Sequence, residues 1–337
     1  MTSQPSNSTT STSVSSIKTW KDVWMSGPGP ETPGQTMLLM LKGICMGTAD
    51  IIPGVSGGTI AFITGIYHQL LQAIDSINLE VLKKLLKFEI KESLALIHFR
   101  FLIPLFVGIL GAVISTARLM HYLLQYHPIP TWSLFFGLIS ASIFIVGREI
   151  SEWNAPNIIN IFLGTLAAYL IVGMIPVQTP ETWWFLFLSG MIAICAMILP
   201  GISGSFILLI LGKYEFVTSA VKNPLIPENL TIMVIFAGGC VVGLLGFSRV
   251  LDYALKRYYT ITMAVLTGFM IGAMRKVWPW KEVLETQIIR GKEYVIREEN
   301  VLPALDSQLM LAIGIMLTGL VLVLALERWS RQKPAQS

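Results

Sequence analysis

Charge is scarce in this chain. Asp, Glu, Lys and Arg make up 13% of its 337 residues, about half the ~25% usual in a soluble domain. Apolar residues account for 53%, and mean hydropathy is +0.66. That leaves too little polar surface to cover a soluble particle, so lipid must form part of the solvent. A soluble enzyme, a secreted disulfide scaffold and a disordered chain are excluded. The net charge of +4 is small and scattered, which gives no basis for nucleic-acid binding. Cysteine is rare too. Cys45, Cys195 and Cys240 each lie in an apolar stretch and read as small buried hydrophobes, not as a metal set. All four histidines (68, 98, 121 and 127) fall in the first half.

What is present is an alternation of apolar segments and polar breaks. Residues 1–16 hold eleven Ser or Thr and almost nothing to bury. Residues 1–36 therefore read as a disordered polar tail and interfacial linker. Apolar segments follow at 37–74, 101–124, 132–147, 157–175, 183–212, 230–255, 261–274 and 307–327. They divide into a first membrane unit (37–175), a second unit (183–327) with an extramembrane loop at 275–306, and a short basic tail at 328–337. The expected class is an all-α polytopic membrane protein. All nine tryptophans sit at segment ends or outside the segments, as in an interfacial aromatic belt. IIRGKEYVI, within the 275–306 loop, reads as a small hairpin turning at Arg290-Gly291.

An internal repeat carries most of the information. ADIIPGVSGGTIAFITGIY (49–67) and AMILPGISGSFILLILGKY (196–214) match at a spacing of 147 residues. The matched pairs are Ala49/Ala196, Pro53/Pro200, Gly54/Gly201, Ser56/Ser203, Gly57/Gly204, Gly65/Gly212 and Tyr67/Tyr214. Gly43 matches Gly190 at the same spacing. Further on, at a spacing of 131, Gly108, Arg118, Tyr122, Leu124 and Gly137 match Gly239, Arg249, Tyr253, Leu255 and Gly268. Two blocks that keep order and spacing indicate a duplication. Each half then holds one broken helical hairpin and three transmembrane helices. Re-entrant breaks give three crossings per half and inverted repeats; spanning breaks give four crossings and parallel repeats. The basic residues favour the inverted arrangement, with the linker 75–100 and Lys256, Arg257, Arg328, Arg331 and Lys333 on the cytoplasmic side. One loop disagrees: 275–306 faces out with six basic residues, and its six acidic residues keep it near neutral but count little in this rule.

Pro-Gly-x-Ser-Gly breaks a helix because proline removes a donor and glycine accepts backbone angles that other residues resist. The helix that restarts begins with free N–H groups and a positive dipole end, a ready anion site. Paired breaks of this kind point to a central substrate site in a repeat transporter. The expected substrate-binding residues are Pro53, Gly54, Ser56, Gly57 and Gly58 in the first half and Pro200, Gly201, Ser203, Gly204 and Ser205 in the second. Arg118 and Arg249 are repeat mates, and arginine suits phosphate. Snorkelling to lipid headgroups is their alternative role. Lys42 is a one-sided phosphate candidate. Asp50, whose mate is Met197, is a candidate for coupling to protons or sodium, or simply a partner for Lys42 or an arginine. No cofactor and no metal is expected. Small-xxx-small spacings at Gly43/Gly47, Gly137/Ala141, Gly239/Gly243 and Gly268/Gly272 are expected to allow close helix packing.

GVSG and GISG also fit the Gly-x-Ser-Gly pattern of rhomboid-type intramembrane serine proteases. The second serine has no histidine counterpart, so a hydrolase, which needs a base near the serine, is the weaker reading. The motif ADIIPGVSGGTIAFITGIY, its flank KGICMGTAD and the looser LPGISGSFILLILGKY resemble the PopT-type polyprenyl-phosphate transporters over about residues 37–327. That resemblance implies a non-enzymatic, multi-pass protein of the bacterial cytoplasmic membrane. It implies return of undecaprenyl phosphate from the outer to the inner leaflet, where the carrier is reused for peptidoglycan and other envelope polymers. Transport of a smaller organic anion is the other reading.

Overall fold

The computed structural model describes residues 27–51, 56–77, 79–174, 179–222, 226–289 and 292–332. The expected polar tail lies mostly outside them, as do Pro53, Gly54, the Arg290-Gly291 turn and residues 333–337. In chain order the elements are α1 (Pro33–Ile51), α2 (Gly57–Ile63), α3 (Tyr67–Asp75), α4 (Leu79–Leu86), α5 (Ile90–Leu96), α6 (Phe99–Tyr126), α7 (Pro128–Gly147) and α8 (Ala155–Val172). After these come α9 (Trp183–Ile198), α10 (Gly204–Ile210), α11 (Tyr214–Lys222), α12 (Pro227–Arg257), α13 (Tyr259–Val277), β1 (Lys281–Ile289), β2 (Lys292–Asn300) and α14 (Ser307–Gln332).

Helices start where the sequence supplies caps. Before α1, Thr32 Oγ1 accepts the Gln35 N–H at 3.2 Å while Gln35 Oε1 accepts the Glu31 N–H at 2.7 Å, a reciprocal cap with Pro33 at the first helical position. Asn154 Oδ1 accepts the Asn157 N–H at 3.1 Å at the start of α8. α7 and α12 open on Pro128 and Pro227. The short segments 132–147 and 261–274 become helices of 20 and 19 residues, because the helical pattern runs through their polar flanks. Five helices among the described residues are long and apolar enough to cross a membrane, and two further helix pairs, bent by 80° and 117° at a short break, reach that length and hydropathy only when taken together. Large side chains on their outer faces, such as Phe162, Val234 and Leu317, are more than half exposed, an apolar coat suited to lipid. The chain is an all-α polytopic membrane protein, apart from the antiparallel β1–β2 hairpin. That hairpin is longer than expected, nine residues in each strand.

Contact registers give the helix directions. Gly43 lies against Leu105 and Gly108, and Gly47 against Ile109 and Ala112, so α1 and α6 run parallel. α2 therefore folds back: its start meets Asp50 near the end of α1, and the carbonyl of Thr64 after its end meets Lys42 in the middle of α1. The second half repeats these contacts. Gly190 lies against Phe236 and Cys240, Gly239 against Phe187, and Gly243 against Met191, so α9 and α12 run parallel as well. Both turns after the short arms use glycine with positive φ, +71° at Gly65 and +62° at Gly212. Each also makes the same pair of closing bonds: Ile66 N–H to Ala61 O (2.9 Å) and Gly65 N–H to Phe62 O (3.0 Å), and Lys213 N–H to Leu208 O (2.8 Å) and Gly212 N–H to Leu209 O (3.0 Å). Any other residue at those two positions would be strained.

The remaining long helices cross between halves. α7 packs on α14 and α8 on α13. Gly137 meets Met316, and Gly319 meets Leu134 and Leu138. Gly268 meets Ile161 and Thr165, Gly164 meets Val265, and Gly272 meets Thr165 and Ala168. The last set shows α8 and α13 running in the same direction. The small residues singled out by spacing thus lie at the closest helix approaches.

Candidate functional site

The two breaks meet. Ser56, 1% exposed, places its Oγ 3.2 and 3.0 Å from the carbonyl oxygens of Met197 and Leu199 and accepts the Gly58 N–H at 3.1 Å. Tyr67 donates to the Ile198 carbonyl at 3.1 Å, and the Gly201 N–H donates to Thr59 Oγ1 at 3.0 Å. The last carbonyls of a helix have no partner within it. Here the first half supplies donors to the final carbonyls of α9. A Cβ added at Gly58 would lie 2.6 Å from the Ile198 oxygen, so glycine is what lets the two segments touch.

The start of α2 is already occupied by a carboxyl group of the chain itself. Asp50 Oδ1 accepts the Gly57 N–H at 2.7 Å, while Ser56 caps Gly58. The sequence reading offered these N–H groups to a ligand; in this conformation the chain's own carboxylate and hydroxyl take two of them. At the second break Met197 stands in place of Asp50, and no side chain caps α10. Ser203 and Ser205 instead share a hydroxyl–hydroxyl bond of 2.7 Å.

Other candidates lie elsewhere. Lys42 donates to the Thr64 carbonyl at 2.7 Å, which is its partner instead of Asp50. Together with Gln35, Gln69, Gln72 and His98 it lines a cavity of about 420 Å³ under Pro28–Pro30. Arg100 holds that rim by bonds to the carbonyls of Gly27 (3.2 Å) and Pro30 (2.6 Å). Arg249 is not at the breaks: its Nε bonds Asp75 Oδ1 at 3.0 Å, at the end of α3 and beside the basic linker. Arg118 lies on α6, and its side chain is outside the described residues. Among the described residues, no group of three His, Cys, Asp or Glu side chains could hold a metal.

A set of cations that the sequence reading did not select lies at the opposite end from the linker. Arg275 and Lys276 end α13, beside Arg297 and Glu298 of β2. Lys276 and Lys281 both pair with Glu298, at 2.7 and 3.1 Å. Burial pushes the Lys281 ammonium down to about 8, against the pull of Glu298. Burial alone would raise the Glu298 carboxyl, but the two ammoniums hold it below its ordinary value. The signal that could have found this cluster was the loop that breaks the positive-inside pattern.

A polyprenyl-phosphate transporter of Vibrio cholerae serotype O1 (strain ATCC 39315 / El Tor Inaba N16961) is 43% identical over 310 residues, covering 89% of this chain and 99% of that protein. A polyprenyl-phosphate transporter of Staphylococcus aureus (strain NCTC 8325 / PS 47) is 33% identical over 255 residues, covering 71% of this chain and 85% of that protein. No solved structure matches. The VCA0040-like family model, described as undecaprenyl phosphate translocase-like, matches residues 46–294, a stretch that includes both breaks and most of both halves, and the chain belongs to that family.

Proposed function

We propose that this chain is a lipid-carrier translocase that moves undecaprenyl phosphate from the outer to the inner leaflet of the bacterial cytoplasmic membrane, returning the carrier to envelope polymer synthesis. The relatives named as polyprenyl-phosphate transporters support the substrate class. The observation that carries the reading is the direct contact of two interrupted helices, Ser56 on Leu199 and Thr59 on Gly201. Interrupted helices at the interface of two halves are the usual place for a transporter's substrate.

The helix directions support inverted repeats. α2 folds back along α1, so the first break re-enters on the side it left. α8 and α13 run the same way although they occupy the third and second long-helix positions of their halves. Opposed topologies produce that relation; parallel repeats would make these helices antiparallel. Two ends result. The end with the linker, Arg249 and Lys256 takes the inner leaflet by its positive charge. The hairpin end takes the outer leaflet.

An anionic headgroup cannot cross hydrocarbon unaided, whereas a prenyl tail can remain in it. The structure has the breaks bonded to each other, which closes the path. In our reading the headgroup replaces these bonds in turn. Asp50 leaves the Gly57 N–H when it binds a proton or sodium ion, which frees the first break for phosphate. The Lys42 cavity then opens the path to the inner leaflet. Reconstitution in vesicles tests this directly, by following the leaflet position of undecaprenyl phosphate with and without ion gradients. Movement of inorganic phosphate or a small organic anion, with undecaprenyl phosphate left in place, would replace the lipid reading. A protein that moves neither would end it.

A further inference from the structure

The 275–306 loop matches its six bases with six acids, and Glu285 stands opposite Arg297 across the hairpin, yet among the described residues two guanidiniums at this end are left outside any ion pair. A cavity of about 70 Å³ is bounded there by Arg275 and Lys276 of α13, Arg297 of β2, and Phe206 and Leu209 of α10. Among the described residues Glu298 is the one carboxylate lining it, and it is shared by Lys276 and Lys281. The guanidinium of Arg275 lies 4.4 Å from the Tyr169 ring centroid, and its Nη1 is 3.4 Å from the Tyr169 carbonyl, a long bond. Among the described residues, neither Arg275 nor Arg297 is in an ion pair. Two planar, exposed guanidiniums beside a small cavity are suited to a phosphate, which accepts paired N–H donors.

The surroundings select an amphiphile over a free anion. Tyr169 and Met174, 47% and 54% exposed, border this corner. Below them the outer face of α8 continues through Leu170, Leu166 and Phe162, all exposed. A hydrocarbon chain can lie along that face while its head sits on the arginines. These bases also belong to the loop that runs against the positive-inside distribution. A bias that topology does not demand is explained if a ligand does.

We infer that this cavity is a headgroup-receiving station for a lipid phosphate monoester in the outer leaflet, with Arg275 and Arg297 as its phosphate ligands. The inference rests on the translocase reading and adds a loading site distinct from the breaks. Because Phe206 and Leu209 form one wall, and Lys276 lies 4.8 Å from the Phe206 ring centroid, a head bound there touches the arm that follows the second break.

The experiment uses the full-length protein in nanodiscs with farnesyl phosphate as the probe. The R275Q/R297Q double variant should bind it at least tenfold more weakly, and inorganic phosphate should compete poorly with the wild type. R275K/R297K keeps the charge without the paired geometry and should fall between; it carries the test if the Gln variant does not fold. In vesicles with uniformly oriented protein, the double variant should slow transport of a fluorescent polyprenyl phosphate presented to the hairpin-side leaflet. Presentation to the linker side should be affected much less. Unchanged farnesyl phosphate binding, or equal loss from both sides, overturns the inference. Inorganic phosphate that competes as well as the lipid reassigns the site to a free anion and overturns it too. Wild-type protein that binds through the arginines but moves no lipid refutes the translocase reading and leaves the binding site standing.

Discussion

At the first break a carboxylate and a hydroxyl from the chain itself take the N–H groups that open α2. At the second, Met197 stands where Asp50 would be, and Ser203 bonds Ser205 instead of capping α10. The backbone frames match, down to the positive-φ glycines at 65 and 212. The difference therefore lies in side-chain chemistry placed on equal scaffolds. One break carries its own carboxyl group; the other is left to small hydroxyls. A transporter with this division can regulate one gate by ion binding while the other responds to the substrate alone.

The largest effect is expected from forcing the breaks apart. Gly58→Val puts bulk against the Ile198 carbonyl. It should abolish lipid movement in vesicles and lower stability by about 1–3 kcal/mol, the usual cost of overpacking. Normal transport in that variant would show that the breaks need not touch. Next comes an exchange of their chemistries. Met197→Asp gives the second break a carboxylate beside Gly204 and should cut the transport rate about tenfold (~1.4 kcal/mol in the barrier). Asp50→Asn should leave a slower transporter that no longer responds to the ion gradient. If Asp50→Asn keeps its ion dependence, the asymmetry is not the coupling device. The smallest effect separates the serines. Ser56→Ala removes a cap and should cost about 1 kcal/mol in a thermal melt, whereas Ser203→Ala should change the melt by only a few tenths of a kcal/mol, since no cap is lost. Equal losses would mean that the two serines play the same part.

Much of this frame is legible in the sequence itself. Paired Pro-Gly-x-Ser-Gly blocks mark both breaks, and Gly65 and Gly212 stand out as repeat mates, although their positive φ is a finding of the structure. Gly43, Gly137, Gly239 and Gly268 mark the tight crossings, because small residues are what membrane helices place where backbones approach. Other features depend on contacts that spacing cannot show. Arg249 looked like a site residue because it has a mate at Arg118, yet its partner Asp75 lies 174 residues away in sequence. Asp50 looked like a free coupling group or a partner for Lys42. Its bond to the Gly57 N–H follows from α2 folding back, which a sequence leaves undecided. Gly164 and Gly319 take matching places against Val265 and Leu134, but the hairpin lengthens the chain before α14 and hides that match from a constant-offset search. Arg275 and Arg297 stand out in the sequence only as an exception to a topology rule, and the cavity they border is formed by four separate elements, α8, α10, α13 and β2.

The crossing of α7 onto α14 and of α8 onto α13 has one more consequence. Each half lends its second and third long helices to the other, so every such contact could equally be drawn between two copies of a half-length polypeptide. A symmetric pair of that kind would carry any acidic residue twice or not at all. Joined in one chain, the halves are free to diverge, and an aspartate can stand at one break where the other has a methionine.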